Sequence, residues 1–232
     1  DWPSRARRLF NAPNAPAMRA KLAAMLGVSI TSLARLGIGA GQDSTGLFSS
    51  WPERNAAGNS IGIVRRYADG RKKHMRGGKA GLYLPTGKPL ADVDQTLFVP
   101  EGGSDVAALL TVGLSAVGRP SNVGGIEMLA TLLSGYRGAI VVLGENDRKL
   151  SRVGTMPQCP SNCAGCAWCW PGKFGARVTA ARLTQLLNRK VHWRLIDGAK
   201  DARDWLKTNR SSTRSEFVSY LGLRLPRTSR VV

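Results

Sequence analysis

From residue 96 onward, short apolar runs alternate with longer stretches in which apolar residues recur at helical spacing. The short runs predict strands and the longer stretches predict helices. The strand candidates are TLFVPEG, SAVGRPS, GAIVVLGEND and KVHWRLID, and the helices that follow them are SDVAALLTVG, GIEMLATLLSG, GARVTAARLTQLLNR and ARDWLKTN. This alternation predicts an α/β unit over residues 96–209, with a mostly parallel four-stranded sheet flanked by helices.

Residues 1–90 have a different pattern, which predicts a small α+β subdomain. MRAKLAAMLGVSITSLARLGIG predicts two short helices, and the Gly/Ser-rich stretch GAGQDSTGLFSS predicts a loop. SIGIVRRY, the turn ADGR and KKHMRGGKAGLYLP together predict a small antiparallel unit. TGKPLADVDQ is predicted to link the subdomain to the α/β unit. Residues 210–232 are predicted to add one helix and a basic tail.

Positive charge greatly exceeds negative charge. The chain has 34 Lys and Arg residues against 15 Asp and Glu residues, which gives a formal net charge of +19. Residues 1–90 hold 15 basic and 4 acidic residues, a net charge of +11. Packing needs no such excess, so we expect an anionic partner, with nucleic acid ahead of a membrane surface. No apolar run is long enough to span a bilayer and no signal-peptide core is present, so we expect a cytoplasmic location without membrane attachment.

Acidic residues nevertheless lie where the predicted strands end. Glu101 follows the first strand, and Asp105 lies one helical turn further on, on the same side. Glu145 and Asp147 follow the third strand, and Asp201 follows the fourth. The carboxyl ends of parallel strands meet at one edge of a sheet, and grouped carboxylates repel one another unless a cation is present. The pattern therefore predicts a Mg²⁺ or Mn²⁺ site, although each acid taken singly is also explained as a helix cap or a solubilising loop residue.

The order and spacing of these motifs resemble the Toprim domain, which bacterial and phage DNA primases share with topoisomerases and some nucleases. The resemblance covers residues 96–209 and is carried by FVPEGGSDVAALLTVGLSAVGRPS, IVVLGENDRK, GARVTAARL and DGAKDARDWL. It implies that Glu101, Glu145 and Asp147 hold Mg²⁺ as catalytic residues, and that Asp105 and Asp201 assist them.

The chain departs from the family pattern at two positions. Glu145 stands where the family usually has Asp, and its longer side chain still reaches a metal ion. Arg203 stands where the third family motif has its second acid, while Asp201 matches the first. The resemblance therefore implies that one metal site is weakened or lost in this chain.

The upstream segment SIGIVRRY to RKKHMRGGKAGLYLP resembles, more weakly, the basic subdomain of the same primases, with His74 in place of a Tyr. The resemblance implies that its basic side chains contact the template or the incoming nucleotide. The predicted nucleic-acid-binding and nucleotide-binding residues are Arg66, Lys72, Lys73, Arg76, Lys79 and Lys149. Arg and Lys suit phosphate binding, while a solvated basic loop explains any one of them alone. The implied partners are single-stranded DNA and nucleoside triphosphates, with a helicase or a zinc-ribbon domain outside this chain.

All four cysteines fall within eleven residues, 159–169, with the spacing C-x3-C-x2-C-x2-C. Cys159, Cys163, Cys166 and Cys169 form an insertion relative to the Toprim pattern. A cysteine cluster of this kind predicts a structural Zn²⁺ site first, an iron–sulfur cluster second, and disulfides or free thiols third. The flanking Trp168 and Trp170 either pack on the site or stack on a base.

The combination predicts a DNA primase-like catalytic core, a nucleotidyltransferase that makes RNA primers on single-stranded DNA. Two alternatives stay open: a Toprim-family nuclease that uses the same acids, and a non-catalytic nucleic-acid-binding module of a mobile-element replication protein. The sequence GLYLPTGKP does not match the phosphate-binding loop GxxxxGK[ST], so the chain by itself is not expected to act as an ATP-driven helicase.

Overall fold

A computed structural model describes residues 1–86, 90, 95–209 and 213–223 of the chain. Within these ranges the strands form two four-stranded sheets, the first antiparallel and the second parallel. This is the predicted α/β architecture, in which a four-stranded parallel sheet with flanking helices follows a small α+β part. None of the helices in the described ranges has the length and apolar character that crossing a membrane requires.

The first sheet follows the order β1-β2-β3-β4 and is preceded by three helices, of which the first two pack against it. The helices are α1 (Trp2–Phe10), α2 (Ala15–Leu26) and α3 (Ile30–Arg35), and the strands are β1 (Gly39–Asp43), β2 (Gly46–Arg54), β3 (Ser60–Tyr67) and β4 (Lys72–His74). Helices α2 and α3 are the two that the sequence predicts, and Gly27 ends α2 in the left-handed conformation that glycine favours.

The stretch GAGQDSTGLFSS, predicted to be a loop, is instead the β1–β2 hairpin. Its glycine content serves packing: a Cβ on Gly39 would lie 2.3 Å from the backbone of Leu9. Helix α1 can therefore approach this strand closely only because position 39 carries no side chain. The sequence analysis predicted neither α1 nor the hairpin. Helix α1 is amphipathic, so its apolar face was a signal present in the sequence, whereas the hairpin offers no clear alternation.

The second sheet has the order β6-β5-β7-β8, with all pairs parallel. Its strands are β5 (Leu97–Val99), β6 (Ser115–Ala116), β7 (Ile140–Gly144) and β8 (His192–Leu195). The helices are α4 (Gly103–Thr111), α5 (Ile126–Leu133), α6 (Pro171–Leu187) and α7 (Ala202–Thr208), followed by α8 (Arg214–Tyr220). Each of the four strands and α4 to α8 overlaps the stretch that the sequence assigned to it, although α6 starts four residues earlier than predicted, at Pro171, and α4 one residue earlier.

The parallel sheet separates two hydrophobic cores. Side chains alternate across β5, so that Phe98 faces one core while Leu97 and Val99 face the other. The first core also contains apolar residues of α2, α3, α4, α7 and α8, together with Trp51 and Val64 from the antiparallel sheet. The two sheets therefore share one continuous apolar cluster.

Two predicted segments lie largely or wholly outside the described residues. They are the linker TGKPLADVDQ, most of which falls in residues 87–94, and the basic tail, residues 224–232. The boundary between the predicted subdomain and the α/β unit falls in the same region, so the division at residue 90 stays a prediction.

Candidate active site and cysteine cluster

The carboxyl ends of β5, β7 and β8 open into one cleft, with a cavity volume of ≈ 280 Å³. The parallel sheet supplies one wall, which we call the acidic wall because it includes Asp105, Glu145 and Asp201. The antiparallel sheet supplies the opposite wall, which includes Trp51, Arg66 and Lys72. A cleft at this edge is where an open α/β sheet binds ligands. Gly103, at the start of α4, allows the walls to meet, because a Cβ there would lie 2.7 Å from the Trp51 ring.

Three carboxylates converge in the cleft. One oxygen each of Asp105, Glu145 and Asp201 lies within 4.8 Å of the other two. Backbone N–H groups orient two of these side chains: Arg203 N donates to Asp105 Oδ1 at 3.0 Å, and Asp204 N donates to Asp201 Oδ1 at 2.7 Å. Each of these two carboxylates keeps its second oxygen for another ligand. Asp201 is thus the N-cap of α7 and a member of the acidic group at the same time.

The electrostatics of this acidic group favour a cation. Asp105 is buried, and burial together with the Asp201 carboxylate raises the pKa of Asp105 to about 8. Removing an anion from water next to other anions is costly, and a divalent cation would offset that cost. Hard carboxylate oxygens are the ligands that Mg²⁺ and Mn²⁺ prefer. The residues present therefore fit one such ion.

The structure places Glu101 and Asp147 close to this acidic group but outside the set of converging oxygens. Glu101 lines the same cleft. Its burial raises its pKa, Arg119 works against the rise, and the carboxylates of Glu145 and Asp147 add to it. Asp147 Oδ1 accepts a hydrogen bond from Gly172 N at 3.0 Å, at the start of α6. Among the described residues, the geometric trio is therefore Asp105, Glu145 and Asp201, which differs from the predicted magnesium set while sharing Glu145 with it.

Three basic residues that the sequence had not assigned to the site lie beside these acids, and two of them form ion pairs with them. Lys200 Nζ lies 3.2 Å from Glu145 Oε2, and although burial works against it, the Glu145 carboxylate raises the pKa of Lys200. Arg203 Nη2 lies 3.8 Å from Asp201 Oδ2, so the residue that replaces a family acid forms an ion pair with the acid that remains. Arg119 is fully buried, and its Nη2 donates to the carbonyl of Leu143 at 2.7 Å. Its position at the carboxyl end of β6 is the signal that could have revealed it.

The predicted phosphate-binding residues divide into two groups. Arg66 and Lys72 line the cleft. The other four are exposed and lie away from the cleft lining: Lys73, Arg76, Lys79 and Lys149. Alternation along β4 explains the difference between Lys72 and Lys73, which point to opposite faces.

A buried acid and a histidine add a feature that the sequence did not predict. His74 Nδ1 lies 3.1 Å from Glu53 Oε2, and both residues line the cleft. Burial raises the pKa of Glu53, while His74 works against the rise. Glu53 lies on β2, just beyond the stretch that the sequence predicted as a loop and outside every predicted element, so no local pattern pointed to it.

The four cysteines also converge. One Sγ of each lies within 4.8 Å of the others, and all four are free thiols. Cys159 and Cys169 are buried, while Cys163 and Cys166 are half-buried. Hydrogen bonding by the backbone of Cys169 lowers the pKa of Cys166 to about 6, although burial works against it. The group has the composition of a thiolate metal site.

Among solved structures, the chain is similar to primase catalytic cores. It matches the E. coli primase catalytic core with a TM-score of 0.63 and 14% identity, over 95% of this chain and 78% of that chain. It matches the catalytic domain of DnaG primase bound to single-stranded DNA with a TM-score of 0.61 and 14% identity, over 93% of this chain and 76% of that one.

The primase fragment of the bacteriophage T7 primase-helicase protein is also similar, with a TM-score of 0.54 and 15% identity, over 85% of this chain and 72% of that chain. No protein-family model matches the chain, and no curated protein matches it. At these identities the likeness establishes the fold, which is that of bacterial and phage primase catalytic cores.

Proposed function

We propose that the chain is a DNA primase-like nucleotidyltransferase that joins ribonucleotides on a single-stranded DNA template. The observation that carries this proposal is the convergence of Asp105, Glu145 and Asp201 in the cleft of a primase-core fold. One structural neighbour is described as bound to single-stranded DNA and another as bound to an RNA/DNA hybrid. The resemblance to the Toprim motifs at Glu101, Glu145 and Asp147 supports the same reaction.

The acidic wall would hold the catalytic metal. Asp105, Glu145 and Asp201 are placed to bind Mg²⁺ or Mn²⁺, and Glu101 and Asp147 add negative charge beside them. When bound, the ion would polarise a phosphate and favour ionisation of the attacking hydroxyl. Lys200 and Arg203 form ion pairs with Glu145 and Asp201 and so neutralise part of their negative charge. The acidic wall should therefore bind fewer metal ions than five unpaired carboxylates would.

The opposite wall would hold the polyanions. Arg66 and Lys72 face the acids across the cleft, and they are suited to phosphate oxygens of the nucleotide or the template. Lys73, Arg76 and Lys79 lie exposed nearby in the chain and would extend this surface for the template strand, while Lys149 would do so beyond β7. The net charge of +19 supports nucleic acid as the partner.

Primer synthesis on single-stranded DNA with ribonucleotides and Mg²⁺ or Mn²⁺ tests the proposal. Glu145→Gln is expected to lower the yield about 100-fold or more, because it removes a charged metal ligand while preserving shape. Glu127→Gln is the matched control, since Glu127 is an exposed residue of α5 outside the cleft lining. Equal primer yields from wild type and Glu145→Gln would refute the catalytic assignment.

The contact of Lys200 and Arg203 with the acids favours one alternative, a non-catalytic nucleic-acid-binding module. Protein cations that already balance the carboxylates would make a metal ion unnecessary. Such a module would bind DNA with a strong dependence on salt and no dependence on Mg²⁺, and would make no primers. Nicking of a plasmid in the absence of nucleotides, lost in Glu145→Gln, would instead identify a nuclease.

A further inference from the structure

Between the acids at the end of β7 and the start of α6 lies a long segment in which, apart from Lys149, the proposed reaction uses no residue. Residues 148–170, which we call the cysteine loop, contain all four cysteines of the chain. The loop starts at the carboxyl end of β7, so it lies at the same edge of the parallel sheet as the acidic wall.

The sulfur positions match one tetrahedral ion. Cys169 Sγ lies 3.6 Å from Cys163 Sγ and 3.7 Å from Cys166 Sγ. Four sulfurs about 2.3 Å from one ion at the corners of a tetrahedron are about 3.8 Å apart. A disulfide requires about 2.05 Å between its sulfurs, so these cysteines are not paired in that way.

The same spacing decides against an iron–sulfur cluster. A cluster of several irons sits between its cysteine sulfurs and holds them further apart than one ion does. Gly165 N donates to Cys163 Sγ at 3.4 Å, the kind of backbone contact that stabilises a ligating thiolate. Two ligands are buried and two are half-buried, so the site is largely closed to solvent.

We propose that Cys159, Cys163, Cys166 and Cys169 bind one Zn²⁺, which holds the cysteine loop as a binding surface for single-stranded nucleic acid. Binding releases to solvent the protons that the thiols still carry and leaves a tetrathiolate site with a net charge of −2. The second half of this inference rests on the proposed function, whereas the zinc site does not.

Hydrogen bonds within the loop join its first residues, which directly follow Asp147, to the cysteines. Lys149 N donates to Cys169 O at 2.7 Å, and Trp170 N donates to Cys166 O at 2.9 Å. Arg148 Nη2 donates to Cys163 O at 3.3 Å. The metal ligands and the chain that leaves the acidic wall therefore form one connected unit, and a zinc ion would fix both.

The surface of the loop has the chemistry that holds single strands. Trp168 is 40% exposed, and the Arg152 guanidinium lies 4.5 Å from the centre of its ring. Lys173 Nζ and the Arg148 guanidinium lie 4.4 Å and 5.3 Å from the Trp170 ring. No acidic residue occurs between positions 148 and 173. Indole rings offer stacking surfaces for bases, and the surrounding cations suit phosphates.

Metal analysis of the purified wild-type chain tests the first half. We expect one zinc per chain, and replacement by Co²⁺ should give the intense visible absorption of a tetrahedral cobalt thiolate. Cys166→Ser should lose the metal, while Ser161→Ala, at an exposed position of the same loop, should keep it. Iron at equal stoichiometry, or a wild-type chain that takes up neither zinc nor cobalt, would overturn the zinc assignment even if Cys166→Ser failed to fold.

Binding of fluorescent single-stranded DNA, without nucleotides or Mg²⁺, tests the second half. Trp168→Ala should bind about 5- to 100-fold more weakly, the range expected for the loss of one base stack. Arg152→Ala should also weaken binding, whereas Arg182→Ala, which removes an equally charged exposed residue of α6, should change it less than about twofold. Zinc-loaded Trp168→Ala with wild-type affinity would overturn the binding role.

Primer synthesis on the one hand, and zinc content and DNA affinity on the other, separate the two proposals when they are measured on the wild type and on Glu145→Gln. If this variant retains zinc and DNA affinity while the wild type makes no primers, the proposed function fails and the cysteine-loop inference stands. If the wild type makes primers but contains no zinc, the opposite holds.

Discussion

The burial of Asp105 in the acidic wall should make the folding stability of the protein depend on pH. The side chain is buried beside Asp201, and its pKa is raised from its ordinary value of 3.8 to about 8. In the unfolded chain the carboxyl group ionises near pH 4, whereas in the folded chain it keeps its proton to a much higher pH. In the absence of a divalent cation, the contribution of this carboxyl group to folding stability is therefore fully present below about pH 4. That contribution is lost as the pH rises toward 8. Asp105→Asn removes this dependence and keeps an oxygen that can accept from Arg203 N.

The size of the effect follows from the width of the pH window. Each pH unit between the two pKa values costs about 1.4 kcal/mol of stability. Water entry and local relaxation reduce the total, so we expect Asp105→Asn to exceed the wild type by about 2–4 kcal/mol at pH 8.5. For a chain of this size, that gain corresponds to a rise in Tm of about 5–10 °C. At pH 4.5 the two proteins should be nearly equally stable.

Thermal unfolding followed by circular dichroism, in buffer free of Mg²⁺, measures the difference between variant and wild type at each pH. Asp197→Asn, at an exposed turn position, is the control for loss of one negative charge. Adding Mg²⁺ at pH 8.5 should raise the Tm of the wild type and narrow the gap, because the cation compensates the carboxylates. A Tm difference that does not grow between pH 4.5 and 8.5 would refute this account of the acidic group.

Three further substitutions test the packing around the site. Gly172→Ala should reduce primer synthesis at least tenfold, because a Cβ there would lie 2.3 Å from the carbonyl oxygen of Glu145; Gly135→Ala, with nothing within 4 Å, should not. Arg119→Met should cost about 2–4 kcal/mol in urea unfolding, because it leaves the half-buried carboxylates of Glu101 and Glu145 uncompensated and removes the donor to the Leu143 carbonyl; a loss below about 1 kcal/mol would count against that role. Phe217→Ala should cost about 3–5 kcal/mol by the same measurement, because α8 buries this ring in the first core; an unchanged denaturation midpoint would show that α8 does not pack there.

The sequence predicts the parallel sheet well because its strands are buried on both faces. Every residue is buried in Leu97 to Val99 and in Ile140 to Leu143. The sequence therefore shows uninterrupted apolar runs there, a pattern typical of strands covered on both faces. The β1–β2 hairpin gives no such signal. Gly39 and Gly41 are selected there by the close approach of α1 and not by strand propensity.

The site shows the same contrast. The edge of the sheet at which the acids meet follows from strand direction, and the sequence contains that information. Which oxygens converge depends on side-chain orientation, and backbone N–H groups in the first turn of α7 orient both Asp105 and Asp201. Lys200 and Arg203 lie in a recognisable motif, but their pairing with the acids becomes visible only in three dimensions.

The apolar cluster that joins the two sheets has a mechanical consequence. Trp51 and Val64 of the antiparallel sheet and Phe98 of the parallel sheet belong to the same buried cluster, and close-packed protein interiors resist hinge motion. The gap between the walls is therefore expected to keep a constant width. Under the proposed function, a growing duplex would move through a cleft of fixed width, and side chains rather than moving domains would hold each incoming nucleotide.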